Sequence, residues 1–179
     1  MIETALGTSI AFTAPHRLAT KAGYDILEAG GTAVEAMVAA AAQIAVVYPH
    51  MNSIGGDGFW LIKKEGKNPV AISACGPAAQ NANLDWYAEK GHSKTIPTRG
   101  PLSALTVPGT ISGWQLALDL DGAVSPIPLT ELLSAAINKA KNGIAVSQNQ
   151  YDTLKNKKSE LAEVPGFKKF YFNENDVPK

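Results

Sequence analysis

The sequence is short of cysteine and of net charge, and each shortage excludes a class of function. Cys75 is the only cysteine among 179 residues, so the chain can form neither an internal disulfide nor a cysteine-based metal site. The 16 basic and 16 acidic residues cancel, which leaves no basic excess of the kind that binds nucleic acid. The beginning of the chain contains Glu3 and no basic cluster. It does not resemble a secretory signal peptide, so we expect a cytoplasmic protein, with a secreted mature form as the alternative.

The chain also lacks an apolar run long enough to cross a membrane. Its longest apolar stretch, AVEAMVAAAAQIAVV at 33–47, falls short of the ~20 residues that a bilayer requires. Because this stretch is apolar on almost every side, it predicts a central core helix. Thr32 and Glu35 have the spacing of a capping box at its start, in which each side chain binds a free backbone N–H of the other residue. We therefore expect a globular protein with no membrane association.

The remaining pattern predicts an α+β chain, because segments of strand-like alternation and of helical period follow one another. The predicted strands cover 8–16, 58–62, 70–73 and 102–109, and the other predicted helices cover 16–29, 83–91, 110–120 and 128–143, the last with Thr130 as its cap. This order gives a strand–helix–helix–hairpin core up to about residue 75 and a mainly helical part over 80–179. The sequence 1–179 offers no internal domain boundary.

A glycine-rich loop, SIGGDGF, joins the core helix to the predicted hairpin. Its glycines, Gly55, Gly56 and Gly58, fit the spacing of neither a phosphate-binding loop nor a dinucleotide-binding turn. We interpret the loop as a backbone turn whose glycines provide positive φ angles and close backbone approach. Binding of a nucleotide to this loop is the alternative.

No local motif marks a catalytic or metal centre. His16, His50 and His92 are far apart in sequence and have no cysteine or carboxylate at ligand spacing. No Gly-x-Ser-x-Gly nucleophile turn occurs. We predict no metal site, and the family resemblance given next implies no organic cofactor.

Longer segments carry a specific resemblance. The segment APHRLATKAGYDILEAGGTAVEAMVAAAAQIAVVYPHMNSIGGDGFWLI resembles the opening of the γ-glutamyltranspeptidase family. LTVPGTISGWQLAL and LTELLSAAINKAKNGIAVS then follow in the order of that family. The resemblance implies an N-terminal-nucleophile hydrolase fold, a four-layer α-β-β-α sandwich, of which this chain would be the N-terminal part.

The same resemblance implies a reaction whose nucleophile lies elsewhere. Members of the family are precursors that cut themselves into a large and a small subunit, and the cut frees an N-terminal threonine that attacks an amide. No threonine in this chain is followed by Thr or His, as the family's nucleophile string would require. We therefore expect no catalytic residue here. The implied partners are the remainder of the large subunit, a small subunit carrying the threonine and a small amide substrate.

Two residues are candidates for substrate binding. In the family an arginine in an Arg-Glu-x-x-Pro string holds the α-carboxylate of the γ-glutamyl group. The matching stretch here, SACGP, has Ser73 in place of that arginine, which implies a donor without this carboxylate. The tract TIPTRGPLSALTVPGTISGW resembles cephalosporin-acylase-like and oxamate-amidohydrolase-like branches, and its Arg99 is the candidate replacement cation.

One alternative concerns the role of Arg99, and another concerns the function of the whole chain. Arg99 could simply tie down a loop. The chain as a whole could be a truncated, non-catalytic relative or an interaction module.

Overall fold

A computed structural model describes residues 6–178, which fold as two compact units. The first unit joins the chain up to Ala74 to Gly109–Ile144, and the second joins Cys75–Pro108 to the chain from Ala145 onward. The helices and strands are α1 (Arg17–Glu28), α2 (Ala33–Val47), β1 (Gly58–Ile62), β2 (Val70–Ala74), α3 (Leu84–Glu89), α4 (Thr110–Asp121), α5 (Leu129–Leu132), α6 (Ser134–Asn142), α7 (Gln148–Leu161) and α8 (Phe167–Tyr171), with a 3₁₀ turn at Pro101–Ser103.

The capping box at the start of α2 forms as predicted. Thr32 Oγ1 accepts the backbone N–H of Glu35 at 3.1 Å, and Glu35 Oε2 accepts the N–H of Thr32 at 2.7 Å. The other carboxylate oxygen, Oε1, accepts the N–H of Ile127 at 2.7 Å. Glu35 is only 2% exposed, so one buried carboxylate both starts α2 and fixes the segment that leads into α5.

The core of the first unit surrounds α2, which confirms its prediction as a central helix. Small side chains on several sides of α2 are buried and let its neighbours approach closely. The cluster contains residues of α1, α2, α4, α5 and α6: Ile26, Ala36, Val38, Ala39, Ala42, Trp114, Leu132 and Ala136.

The hairpin β1–β2 has one buried and one exposed face. The strands pair antiparallel, with Gly58 opposite Ala74 and Ile62 opposite Val70. Trp60, Ile62, Ile72 and Ala74 share a face that packs with Ala117 of α4. Gly113 of α4 lies so close that a Cβ added there would be 2.6 Å from Ala74 Cβ, which is why this turn of α4 needs glycine.

Two predicted strands do not form. Residues 8–16 contain no strand, and the stretch 102–109 contains the end of the 3₁₀ turn and one isolated bridge, between Thr106 and Ala78. A strand needs a neighbour for its backbone hydrogen bonds, and within 6–178 the only sheet is the two-stranded hairpin. The alternation of apolar and polar residues alone therefore did not predict a strand correctly, either at 8–16 or at 102–109.

The predicted helix at 128–143 is broken. It divides at Leu133 into α5 and α6, and Pro128, not Thr130, occupies the N-cap position of α5. Proline fixes its own φ and suits the first residues of a helix, so α5 begins before Thr130. The prediction of Thr130 as a cap was wrong.

The second unit has a small aromatic core. Leu154 of α7 packs with Phe167 and Phe172, and Ser147 caps α7 by accepting the N–H of Gln150 at 3.1 Å. Elsewhere in this unit the Tyr87 hydroxyl donates to the Leu102 carbonyl at 2.9 Å. Across both units, the described residues contain no helix that is long and apolar enough to cross a membrane.

Candidate functional site

The glycine-rich loop is bound to the first turn of α4. The carbonyl oxygen of Gly56 accepts the backbone N–H groups of Gly109 and Thr110, each at 3.0 Å. It also accepts the hydroxyl of Thr110 at 2.6 Å. The first four N–H groups of a helix have no partners inside the helix, and here a carbonyl 54 residues away in sequence accepts two of them, those of Gly109 and Thr110.

The glycines of this loop do not have the role that the sequence suggested. None of Gly55, Gly56 and Gly58 has a φ between +20° and +160°, and a Cβ added at Gly56 would meet nothing within 4 Å. At Gly58 the added Cβ would lie 3.6 Å from Thr110 Cα, an ordinary contact. The expectation of positive φ angles was wrong. The loop supports the fold through the Gly56 carbonyl.

A cleft of about 410 Å³ opens beside this loop, and we call it the β1 groove. The wall from α2 is apolar and consists of Met37, Ala41 and Ile44. Loop residues, β1 and α4 form the rest, namely Asn52, Ser53, Asp57, Gly58, Phe59, Trp60, Leu61, Thr110 and Trp114. None of these described lining residues carries a positive charge, so the groove holds no cation of its own for a carboxylate.

Ser73 lies on the exposed face of the hairpin. It is the fourth residue of β2, directly opposite Phe59 of β1, and its side chain is exposed. Cys75, just beyond the end of β2, is an exposed free thiol. Ser73 therefore presents a hydroxyl on an otherwise apolar surface.

Arg99 lies in the second unit and is already paired. Its Nε is 2.6 Å from Glu160 Oε1, and Lys157 Nζ is 2.5 Å from Glu160 Oε2. The hydrogen bond from Lys157 and then that from Arg99 lower the pKa of the Glu160 carboxyl. The contact connects the loop before the 3₁₀ turn to α7. Ser73, in contrast, belongs to the first unit.

The structure groups two histidines that are distant in sequence. The ring of Tyr48 lies 5.9 Å from that of His16 and 4.3 Å from that of His50, measured between centroids. His16 also caps α1, since its Nδ1 accepts the N–H of Leu18 at 3.2 Å. Burial, and then the charge of Arg17, lower the pKa of His16. No group of three or more metal-ligating side chains occurs within 6–178.

Sequence reasoning missed the contacts that join distant segments. Lys64, in the hairpin turn, donates to the carbonyls of Leu120, at 3.2 Å, and Asp121 at the end of α4. Its Nζ is also 3.3 Å from Asp121 Oδ1. A lysine in a polar turn gives no sign of such a partner.

The sequence of this chain is similar to those of known hydrolases. Residues 19–179 match the sequence profile described as gamma-glutamyltranspeptidase. The chain is 48% identical over 170 residues to the oxamate amidohydrolase proenzyme of Klebsiella pneumoniae, a match that covers 93% of this chain and 31% of that protein. It is 42% identical over 151 residues to a glutathione hydrolase-like proenzyme of Bacillus subtilis, covering 84% of this chain and 28% of that protein.

A solved structure agrees with these matches. The chain superposes on the Helicobacter pylori gamma-glutamyltranspeptidase with a TM-score of 0.80 at 30% identity, covering 99% of this chain and 50% of that one. This similarity confirms the predicted N-terminal-nucleophile hydrolase fold, of which the described residues form a part. The chain belongs to the gamma-glutamyltranspeptidase family. It spans less than a third of the length of the two curated relatives.

Proposed function

We propose that this chain is part of a gamma-glutamyltranspeptidase-like amide hydrolase or acyltransferase whose nucleophilic threonine lies outside it. The observation that carries the proposal is the 48% identity to oxamate amidohydrolase over 93% of the chain. A cytoplasmic location and assembly with the remainder of a large subunit and with a small subunit belong to the same proposal.

The proposed reaction is an acyl transfer through a covalent intermediate. The threonine hydroxyl attacks the amide carbonyl while its own α-amino group takes the proton, a pairing that activates an otherwise weak nucleophile. The carbon–nitrogen bond breaks and the amine leaves with that proton. Water or an acceptor amine then attacks the acyl-enzyme and regenerates the threonine.

Within this reaction we assign the chain a structural and substrate-binding role. Its helix α2 and hairpin form a packed scaffold, and no threonine in the chain has the context of the nucleophile. Ser73 in place of an arginine favours a small amide without the γ-glutamyl α-carboxylate contact. A charge-assisted hydrogen bond of that kind is worth about 1.5–3 kcal/mol, so its loss disfavours glutamyl donors by roughly ten- to a hundredfold.

Arg99 remains the proposed cation for a carboxylate elsewhere on the substrate. Oxamate, the substrate in the relative's name, carries such a group. Arg99 would have to bind this group while Glu160 competes for its guanidinium.

A non-catalytic role is the second candidate, because no threonine in this chain is followed by Thr or His. In that case the chain is a truncated relative or an interaction module.

One experiment distinguishes the proposed catalytic function from the non-catalytic role. This chain replaces the matching 170 residues of the Klebsiella pneumoniae proenzyme, and we call the product the hybrid proenzyme. After purification, the intact mass of every polypeptide is measured under denaturing conditions, and turnover of oxamate and of a γ-glutamyl anilide is measured.

We expect a second polypeptide that begins with threonine, and turnover of oxamate exceeding that of the anilide. Rapid turnover of the anilide with a micromolar KM would contradict the preferred substrate class. A folded hybrid that neither cuts itself nor hydrolyses either amide would favour the non-catalytic role.

A further inference from the structure

A cleft of about 380 Å³ opens within the second unit beside helix α3, and we call it the α3 pocket. Residues 78, 82–84, 87, 92–96 and 105 line it. Its volume is at the lower end of the range for ligand pockets, about 300–1,000 Å³. The α3 pocket shares no lining residue with the β1 groove and is large enough for a small organic molecule.

Backbone hydrogen bonds fix one wall of the α3 pocket. The N–H of Ala79 donates to the Leu105 carbonyl at 3.1 Å, and the N–H of Val107 donates to the Pro77 carbonyl at 2.9 Å. These bonds hold the two segments side by side. Ala78 and Leu105 belong to the lining, so this wall is already in place before a ligand binds.

Tyr87 is the buried aromatic residue of the pocket, and several contacts hold it. It is only 5% exposed. Its hydroxyl donates to the Leu102 carbonyl at 2.9 Å, and its ring packs edge-on against Trp86 with the centroids 5.0 Å apart. Its backbone carbonyl accepts the N–H of His92 at 2.8 Å, which anchors the start of the loop 92–96. A preformed site of this kind loses little conformational freedom on binding.

The lining combines apolar surface with positive charge. Leu84 is 87% exposed and Ile96 is 42% exposed. Lys94 is the only lysine or arginine among the lining residues, and none of those residues carries a carboxylate. Within residues 6–178 no acidic side chain forms an ion pair with Lys94. Its neighbours Ser93 and Thr95 add hydroxyl donors to the lining.

We infer that the α3 pocket binds a small organic acid whose carboxylate faces Lys94 and whose apolar body covers Leu84 and Ile96. The apolar contact supplies most of the affinity, because an ion pair with an exposed lysine contributes little. The lysine selects for the acid over a neutral molecule. Oxamate has no apolar body, so this ligand differs from the proposed substrate and the site is additional to the proposed catalytic function.

Calorimetric titration of the hybrid proenzyme with 3-phenylpropionate tests the inference. We expect a dissociation constant of about 1 mM or lower. Propionate, which lacks the ring, should bind at least about tenfold more weakly. The alcohol 3-phenylpropanol, which lacks the charge, should bind about three- to fivefold more weakly. Equal binding of all three, or no binding of 3-phenylpropionate, would overturn the inference.

Two substitutions and a matched control test the lining. Lys94→Gln should weaken 3-phenylpropionate binding about three- to fivefold and leave 3-phenylpropanol binding unchanged. Ala82→Phe fills the pocket and should weaken the binding of both by at least about tenfold. The control is Lys90→Gln, because the Lys90 ammonium lies 5.9 Å from the centroid of the Trp86 ring and outside the lining. Equal losses in Lys90→Gln and Lys94→Gln would contradict the role of Lys94.

Hydrogen exchange followed by mass spectrometry locates the bound acid. We expect 3-phenylpropionate to slow exchange at least about threefold in the peptide that covers 92–96, and to leave the peptide that covers 58–62 unchanged. Protection elsewhere without protection of 92–96 would overturn the inference.

A titration in excess oxamate separates the α3 pocket from the proposed catalytic site. Binding of 3-phenylpropionate should be undiminished, and its displacement by oxamate would overturn the inference. Oxamate turnover without binding of the acid removes the α3 site and leaves the proposed function intact. Binding of the acid without turnover does the reverse.

Discussion

The hydroxyl of Thr110 donates a hydrogen bond of 2.6 Å to the carbonyl oxygen of Gly56. The glycine-rich loop and the first turn of α4 are thereby held together, on the side where both line the β1 groove. The Gly56 carbonyl keeps two further donors, the N–H groups of Gly109 and Thr110, so the hydroxyl is one of three contacts.

Replacing Thr110 with valine should destabilise the first turn of α4 modestly. The substitution removes one hydrogen bond, worth about 0.5–1.5 kcal/mol, but leaves the acceptor satisfied. Hydrogen exchange at the first turn of α4 in the hybrid proenzyme measures the effect. Thr110→Ser keeps the hydroxyl and should exchange close to the unsubstituted rate. Equal acceleration in both variants would mean that the methyl group matters and the hydrogen bond does not.

Glu35→Gln should destabilise the first unit more strongly. The carboxylate accepts the N–H groups of Thr32 and Ile127 at 2.7 Å while only 2% exposed, and an amide can accept only one of them well. Loss of a hydrogen bond to a charged group costs about 1.5–3 kcal/mol. The change in the free energy of unfolding is measured by urea unfolding, followed by tryptophan fluorescence. The control is Glu28→Gln on exposed α1 surface, and comparable losses in the two variants would refute the role of Glu35.

Lys64→Met should destabilise the end of α4. The lysine binds the carbonyls of Leu120 and Asp121 and pairs with the Asp121 carboxylate, whose side chain is 8% exposed. Truncating it leaves a buried carboxylate without its cation. We expect a loss of about 1–3 kcal/mol.

The matched control for Lys64 is Lys21→Met, which breaks an exposed i,i+4 pair with Asp25. Such pairs contribute about 0.3–0.5 kcal/mol. The midpoint of urea unfolding should therefore fall clearly for Lys64→Met and hardly for Lys21→Met. Similar midpoints for the two variants would contradict the capping role of Lys64.

The His16 cap should make α1 sensitive to mild acid. The pKa of His16 is lowered in the folded chain from 6.5, so the unfolded state binds the proton more readily. The contribution of His16 is complete above pH 6.5 and is lost as the pH falls through that value toward the lower folded pKa. Protonation at Nδ1 also removes the acceptor for the Leu18 N–H.

Thermal midpoints measured across this pH range test the His16 prediction. His16→Asn retains a good cap that does not titrate, and its midpoint should change less with pH. Glu160 and Asp176 also have lowered pKa values, but their carboxyls titrate in more acidic solution. Parallel pH profiles for the two proteins would show that His16 is not responsible.

Substitutions at Arg99 and Glu160 separate substrate binding from loop tethering. If Arg99 binds the oxamate carboxylate, Arg99→Gln in the hybrid proenzyme should raise KM by about ten- to a hundredfold. Glu160→Gln should lower KM, because it removes the carboxylate that competes with the substrate for the Arg99 guanidinium. Equal, small changes in both variants would assign Arg99 to the tether with α7.

Sequence reasoning succeeded where the determining contacts are local. The capping box of Thr32 and Glu35 is a matter of residues three apart, and the apolar character of 33–47 is enough to predict burial. The hairpin followed from two alternating runs with a polar turn between them.

Sequence reasoning failed where a distant partner decides the structure. The alternation at 8–16 resembles that of a strand, but no neighbouring strand pairs with it among the described residues. The contact between Gly56 and Thr110 spans 54 residues, and that between Lys64 and Asp121 spans 57. No local pattern encodes such pairs, and the charge of Arg99 likewise did not reveal its partner, Glu160.

Gly113 allows helix α4 to lie close against the hairpin β1–β2. A single methyl group at that position would come within 2.6 Å of Ala74 Cβ, so helix α4 and the hairpin would have to separate to admit it. Since α4 also contributes Thr110 and Trp114 to the β1 groove, that separation would change the width of the groove. The absence of a side chain at Gly113 thus sets the distance between α4 and the hairpin, and with it the width of the groove.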